Sequence, residues 1–182
     1  MTETAIATIA PVTAAQAHAA GQSLSQAFNR IRQTRMAGLP FLNPALQVEA
    51  VGFRPWQSRI VGVLLTPWAM NLVVLPGNDG SFRSLGADVQ QTWAFPSGDY
   101  EFMGGEEVEC GPFHFCSLFS PMADFADQTM ARTTAEAALE ALFVQDEESL
   151  AKHREQQRQA AQLEGKPAPL SRRGFLTGGR SA

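Results

Sequence analysis

The sequence predicts an α+β fold: a curved antiparallel sheet of about five strands, packed by an N-terminal and a C-terminal helix and followed by a polar C-terminal tail. Three observations lead there. Val, Leu, Phe and Trp concentrate between Leu39 and Phe119, whereas both ends are rich in Ala, Gln and charge, so the core is central. That centre breaks into short apolar runs separated by Gly, Pro, Asn and Asp clusters, a spacing suited to antiparallel hairpins and too tight for crossover helices. The flanking stretches instead repeat apolar residues at three- and four-residue steps, the period of a helix face.

The first helix has a legible start. Thr13-Ala14-Ala15-Gln16 fits a capping box, in which the Thr hydroxyl accepts from a free backbone N–H and the Gln side chain reaches back. Ala17, Ala20, Leu24, Ala27, Phe28 and Ile31 then form one narrow apolar stripe, and Gly38 with Pro40 supplies a stop. Phe41-Leu42-Asn43-Pro44 reads as a turn, because the residue before a proline is pushed out of the helical region. The expected strands are Gln47 to Phe53, Arg59 to Leu65, Met70 to Leu75, Asp99 to Met103 and Phe113 to Phe119. Tyr100 and Phe102 alternate with acids and mark one half-buried face. Gly104-Gly105-Glu106 is expected to turn the chain back. After Ser120-Pro121, with Ser120 as cap and Pro121 in the first turn, a second helix places Ala131, Ala135, Leu139, Leu142 and Phe143 on one side and should cover the sheet.

These elements divide the chain into a flexible N-terminus (1–12), one α+β domain (13–145), a polar helix or disordered linker (146–170) and a basic C-terminal segment (171–182). At 182 residues the chain suits a single core, which closes at about 100–200 residues. A net charge of −4 without long acidic blocks argues against a nucleic-acid footprint, which needs Lys and Arg gathered on one face. Met1-Thr2-Glu3-Thr4 carries an acid where a secretory signal has bases. The strongly apolar charge-free run from Ile60 to Pro76 is broken by Thr66-Pro67-Trp68 and reads as two buried strands rather than a membrane span. Two cysteines without an export signal imply reduced thiols. A cytoplasmic protein is expected.

Chemistry-bearing constellations are sparse. Cys110, His114 and Cys116 have even spacing that places all three on one strand face, but about 20 Å separates the two cysteines at about 3.3 Å per residue. His114 and Cys116 alone remain as a weak metal or thiol pair, against plain packing of a small apolar thiol. There is no C-x-x-C pair, G-x-S-x-G elbow, P-loop, G-x-G-x-x-G or H-E-x-x-H. His18, His114 and His153 fall on a helix, a strand and a polar tail, poor material for a shared proton-transfer site. No cofactor and no enzymatic activity are expected.

Four blocks in order, Phe41-Leu42-Asn43-Pro44, Thr66-Pro67-Trp68, Leu75-Pro76-Gly77-Asn78-Asp79 and Cys116-Ser117-Leu118-Phe119-Ser120-Pro121, resemble the signature of the HybE family of nickel-iron hydrogenase maturation chaperones. The similarity covers about Phe28 to Phe143 plus the C-terminal Arg-Arg segment. It implies a cytoplasmic chaperone that engages the precursor of the hydrogenase small subunit, with the large subunit and other maturation factors as further candidate partners, and no membrane insertion. Some relatives carry a fused rubredoxin domain, whose paired C-x-x-C motifs are missing here, so an iron-dependent electron role does not carry over.

Under that reading Pro67, Trp68, Leu118, Phe119 and Pro121 are the candidate client-binding residues. Trp68 is a large aromatic set between two strands, and Leu118 and Phe119 point to opposite faces, so one of them is free to line a partner groove. Ser171-Arg172-Arg173-Gly174-Phe175-Leu176-Thr177 resembles the twin-arginine export motif. It lies at the wrong end to act as a signal, and five residues follow it. Arg172, Arg173, Phe175 and Leu176 therefore suggest mimicry of, or docking in place of, a client signal. The rival reading is a thiol or metal-handling module centred on Cys116 and His114 that protects or delivers iron-sulfur components.

Overall fold

A computed structural model of the chain describes residues 10–144. Element order is α1 (Ala14–Gln33), β1 (Glu49–Trp56), β2 (Arg59–Leu65), β3 (Met70–Leu75), β4 (Gln90–Phe95), β5 (Gly98–Glu107), β6 (Gly111–Phe119) and α2 (Gln128–Ala141). All pairings are antiparallel and the strand order is β1-β2-β3-β6-β5-β4. Two three-strand meanders thus join where β3 meets β6.

The capping box forms as expected: Thr13 Oγ1 accepts from Gln16 N, and Gln16 Oε1 accepts from Thr13 N at 2.8 Å. Helix α1 ends a turn before the Gly38 stop. Thr34 supplies the cap, its N–H and hydroxyl both donating to Arg30 O, the latter at 2.7 Å. Ala17, Leu24, Ala27 and Ile31 face inward. Val12, within the segment expected to be flexible, is also buried, and Asn78 Nδ2 donates to Ala10 O.

Strands β2 and β3 are buried at every residue. Their runs lack polar alternation because both faces are covered. On one face Ile60, Leu64, Val73 and Leu75 pack with Ala17 and Leu24 of α1. On the other, Val61, Val63, Leu72 and Val74 pack with Ala131, Ala135 and Leu139 of α2. The sheet curls toward α2, so that Trp93 and Phe95 of edge strand β4 reach Trp56 at the opposite edge; Phe95 stacks on Trp56 with centroids 4.2 Å apart. A bulge in β1 helps: Gly52 has φ +62 and leaves room for Leu139, whose Cδ2 would lie 2.5 Å from any Cβ there.

Three expectations need correction. The sheet has six strands rather than about five. The addition, β4, carries a period-two pattern in which Gln91, Trp93 and Phe95 are the more buried, but its outer face of Gln90, Thr92 and Ala94 is short and polar. Gly104-Gly105 does not turn the chain; β5 runs on to Glu107. A Cβ at Gly104 would sit 2.5 Å from Leu85 Cβ, and one at Gly105 2.5 Å from the Phe113 ring, so these glycines permit close packing inside a strand. Ser120-Pro121 does not open α2 either. Asp127 is the N-cap, accepting from Met130 N at 2.8 Å, and the intervening Met122 and Phe125 are buried against the concave core. The basic segment 171–182 and the polar stretch 146–170 lie outside the described residues.

Phe102 is fully buried at the centre of the concave side. Phe102→Ala should lower the unfolding free energy by about 3–5 kcal/mol, as ring deletions in packed cores do. Urea unfolding followed by circular dichroism checks it; a loss below about 1 kcal/mol would place that ring outside the core.

Candidate functional site

Three of the four sequence blocks meet at one end of the sheet, and Asn43 joins them. Its backbone N–H donates to Pro67 O at 2.8 Å. Its Nδ2 donates to Met122 O at 3.0 Å and Phe125 O at 2.7 Å, while Oδ1 accepts from Ala45 N. Thr66 closes the next turn: its hydroxyl donates to Ala69 O at 2.8 Å and accepts from Ala69 N at 2.9 Å. Ser120 Oγ donates to Trp68 O at 3.4 Å. The fourth block lies at the opposite end, where Asp79 pairs with the buried Arg59 at 2.7 Å. The Arg59 guanidinium, with Ser58 and Ser81, holds that carboxyl well below the usual carboxylate range.

Beside the Asn43 corner, on the convex face, α1 touches β3 and β6 through Leu24 and Phe28 but leaves the neighbouring part of β3, β6 and β5 uncovered. A groove of about 370 Å³ remains, lined by Phe28, Trp68, Asn71, Met103, Phe113 and Phe115 with Ala69, Ser117 and Ser120. Aromatic contacts stiffen its wall. Trp68 stacks on Phe28 (centroids 6.4 Å, 18° between planes), Phe28 meets Phe113 edge-on at 5.8 Å, and Phe113 meets Phe115 at 6.1 Å. Met103 is 42% exposed within it. Asn71 is 8% exposed as a residue, and its side-chain amide, which opens into the groove, has no hydrogen-bond partner among the described residues.

The five residues singled out from sequence do not form one surface. Trp68 lines the groove. Pro67 is buried, its carbonyl held by Asn43. Leu118 is half-buried against the concave core. Phe119 is 42% exposed and packs edge-on against Phe125 at 5.3 Å. Leu118 and Phe119 therefore do not diverge to opposite faces, because the register shift opposite Met70 and Asn71 breaks the alternation there. Pro121 is exposed beyond the strand end. The groove residues not singled out, Phe28, Asn71, Met103, Phe113 and Phe115, come from four elements. Their signal was the odd-numbered face of β6, opposite the face carrying His114 and Cys116.

The Cys110, His114 and Cys116 trio is split across the sheet. Cys110 sits in the turn before β6 and packs with the α1 side, whereas Cys116 packs with the α2 side. His114 Nε2 lies 2.8 Å from Arg83 O, an acceptor only, so that nitrogen carries the proton; Nδ1 accepts from Trp93 Nε1 at 3.2 Å. Both ring nitrogens of a neutral imidazole are thus engaged, with Phe82 stacked on the ring at 4.2 Å. Burial, together with the Arg59 charge, lowers the His114 pKa. Burial pushes the Cys116 thiol up, and burial with the Glu107 and Glu109 carboxylates pushes Cys110 up to about 11. These are packed thiols rather than thiolate nucleophiles. Among the described residues no three His, Cys, Asp or Glu gather where they would hold a metal ion, and no described helix is long and apolar enough to cross a membrane.

The described residues form a two-helix, six-stranded antiparallel domain with a partly open apolar face. The chain belongs to the family described as "[NiFe]-hydrogenase assembly, chaperone, HybE", whose model matches residues 19–178. Members of this family are assembly chaperones, not catalysts. The chain is 43% identical over 172 residues to hydrogenase expression/formation protein HupJ of Bradyrhizobium diazoefficiens, covering 93% of this chain and 94% of that one. It is 42% identical over 132 residues to protein HoxT of Cupriavidus necator, covering 65% of this chain and 73% of the relative. A relative in Rhodobacter capsulatus named probable rubredoxin HupJ is 40% identical over 116 residues, 64% of this chain and only 42% of that longer protein. The solution structure of HybE from Escherichia coli superposes with a TM-score of 0.57 at 20% identity, covering 90% and 91% of the two chains, which shows the fold.

Because folding lowers the His114 pKa below 6.5, the unfolded chain takes up a proton first as pH falls. The histidine is thus neutral in sign above that value and costs stability below it, down to its folded-state pKa. The wild type should lose more stability than His114→Gln between about pH 7 and pH 5.5, measured by urea unfolding at each pH. Equal losses would contradict the assignment. Asn43→Ala, which frees two carbonyls, should cost about 1–3 kcal/mol and loosen the 120–126 segment in hydrogen exchange; unchanged exchange there would show that Asn43 does not hold the corner.

Proposed function

We propose that this chain works in the cytoplasm by binding the precursor of a nickel-iron hydrogenase subunit, the small subunit with its twin-arginine signal, until it is ready to assemble. The observation that carries this reading is the aromatic groove around Trp68, set against the corner where three family blocks meet. An exposed apolar groove with rigid aromatic walls suits reversible capture of apolar segments, since buried aromatics dominate such interfaces. Its volume, about 370 Å³, is in the range of pockets that enclose a ligand-sized group.

The chemistry of a twin-arginine signal matches the surroundings. An apolar segment fills the groove, and the arginines find Glu101, an exposed carboxylate two residues along β5 from Met103. The large subunit and other maturation factors are further candidate partners in the same assembly. Nothing in this scheme needs catalysis: affinity governs how long the precursor is held.

Titration calorimetry of the full chain against the small-subunit precursor, with and without its signal, tests the reading. Trp68→Ala should weaken binding by about tenfold or more, the loss of a central aromatic anchor, with folding verified by circular dichroism. Removing the signal should weaken wild-type binding comparably. Binding that is indifferent to both changes would contradict the proposal.

A further inference from the structure

We infer that the chain's own C-terminal segment, Ser171 to Thr177, docks in the Trp68 groove when no client is present and is displaced by the client. The docking stands on the groove itself; only the displacement rests on the proposal that a client signal uses the same groove.

The groove asks for an extended peptide. The Asn71 amide offers one acceptor and two donors, forms no side-chain hydrogen bond among the described residues, and opens into a mostly apolar lining, the residue as a whole being 8% exposed. A peptide backbone supplies a complementary donor and acceptor per residue. Strands β5 and β6 pair only as far as Met103 opposite Phe115, beyond which β6 pairs with β3 alone. The sheet therefore opens a slot beside Cys116 to Phe119 where an extended segment can enter.

Sequence and charge select the occupant. Phe175 and Leu176 are apolar, and Arg172 and Arg173 are basic. In an extended segment Arg173 and Phe175 share a side, about 6.6 Å apart at about 3.3 Å per residue. Glu101 and Met103 share the outer side of β5 at that same two-residue spacing, and Glu101 has no charged partner among the described residues. With Phe175 over Met103, Arg173 lies over Glu101.

The tether is long enough. The last described turn is anchored beside the β4–β5 hairpin, where Ser97 N donates to Leu142 O. Residues 145–170, 26 in number, span up to about 90 Å when extended. Met103 is five residues along β5 from Gly98, about 17 Å. A tether far longer than its span still confers an effective concentration well above that of a free peptide.

Isotope-labelled full chain, wild type and Phe175→Ala/Leu176→Ala, decides by nuclear magnetic resonance. Both substituted positions fall outside the described residues. The Asn71 side-chain amide and Trp68 indole N–H signals should move between the two proteins; changes confined to residues 165–182 would overturn the inference. A synthetic peptide of residues 168–182 should bind the double variant about tenfold more tightly than the wild type, whose own tail competes; equal affinities would overturn it. Glu101→Lys, at an exposed position, should weaken peptide binding in the double variant, with no change counting against the charge pairing. The client reading fails separately. If the precursor leaves the Asn71 signal unmoved while the tail moves it, the inference holds without that reading; if only the precursor moves it, the inference is lost.

Discussion

Burial of β2 and β3 on both faces is the constraint from which the rest of the architecture follows. Two adjacent strands with no polar face must be covered twice, and the two helices among the described residues do it. Helix α2, assisted by the curl of β4 and β5, closes the concave side: Trp56, Trp93, Phe95, Phe102 and Leu139 share one cluster. Helix α1 has only a narrow stripe, Ala17 to Ile31, and covers the β1–β2 side of the convex face. Its far flank ends at Phe28, and from there across β3, β6 and β5 the convex face is walled by aromatics but not capped. The groove is what one narrow helix leaves uncovered on a six-stranded sheet.

The family blocks acquire a physical account from the same frame. Asn43 is spent on backbone groups of three separate loops, and Thr66 on closing the turn that presents Trp68. Asp79 pairs with Arg59, whose guanidinium lies over Trp93 and Phe82. These residues act through the loops they fix. Trp68, Ser117 and Ser120 are the block residues that line the groove, and Trp68 does so on a turn tied down by Asn43 and Thr66. Preorganisation of that kind reduces the ordering cost of binding.

Much of the scaffold was legible because its signals are local. The Thr13 to Gln16 capping box and the unbroken apolar runs of β2 and β3 gave their elements directly, and β2 and β3 have the bounds expected. The misreadings share a cause: residues whose roles depend on a distant neighbour. Gly104 and Gly105 look like a turn until Leu85 and Phe113 press on them. Ser120-Pro121 looks like a helix start until Met122 and Phe125 take the following residues into the core. For the site, Trp68 stood out by type and position, but its groove partners Phe28, Asn71, Met103, Phe113 and Phe115 are brought together by the β3–β6 junction, which no local pattern announces. The Cys110 to Cys116 spacing pointed to one face, and the turn before Gly111 placed Cys110 on the other.

The central claim is that the convex groove, and not the helix-covered concave side, receives the client. Photo-crosslinking tests it most directly, with a benzophenone side chain at Met103 in the groove or at Met130 on α2, positions of similar exposure at 42% and 48%. The account predicts a crosslink to the small-subunit precursor from position 103 and none from position 130. A crosslink from 130 alone would contradict it.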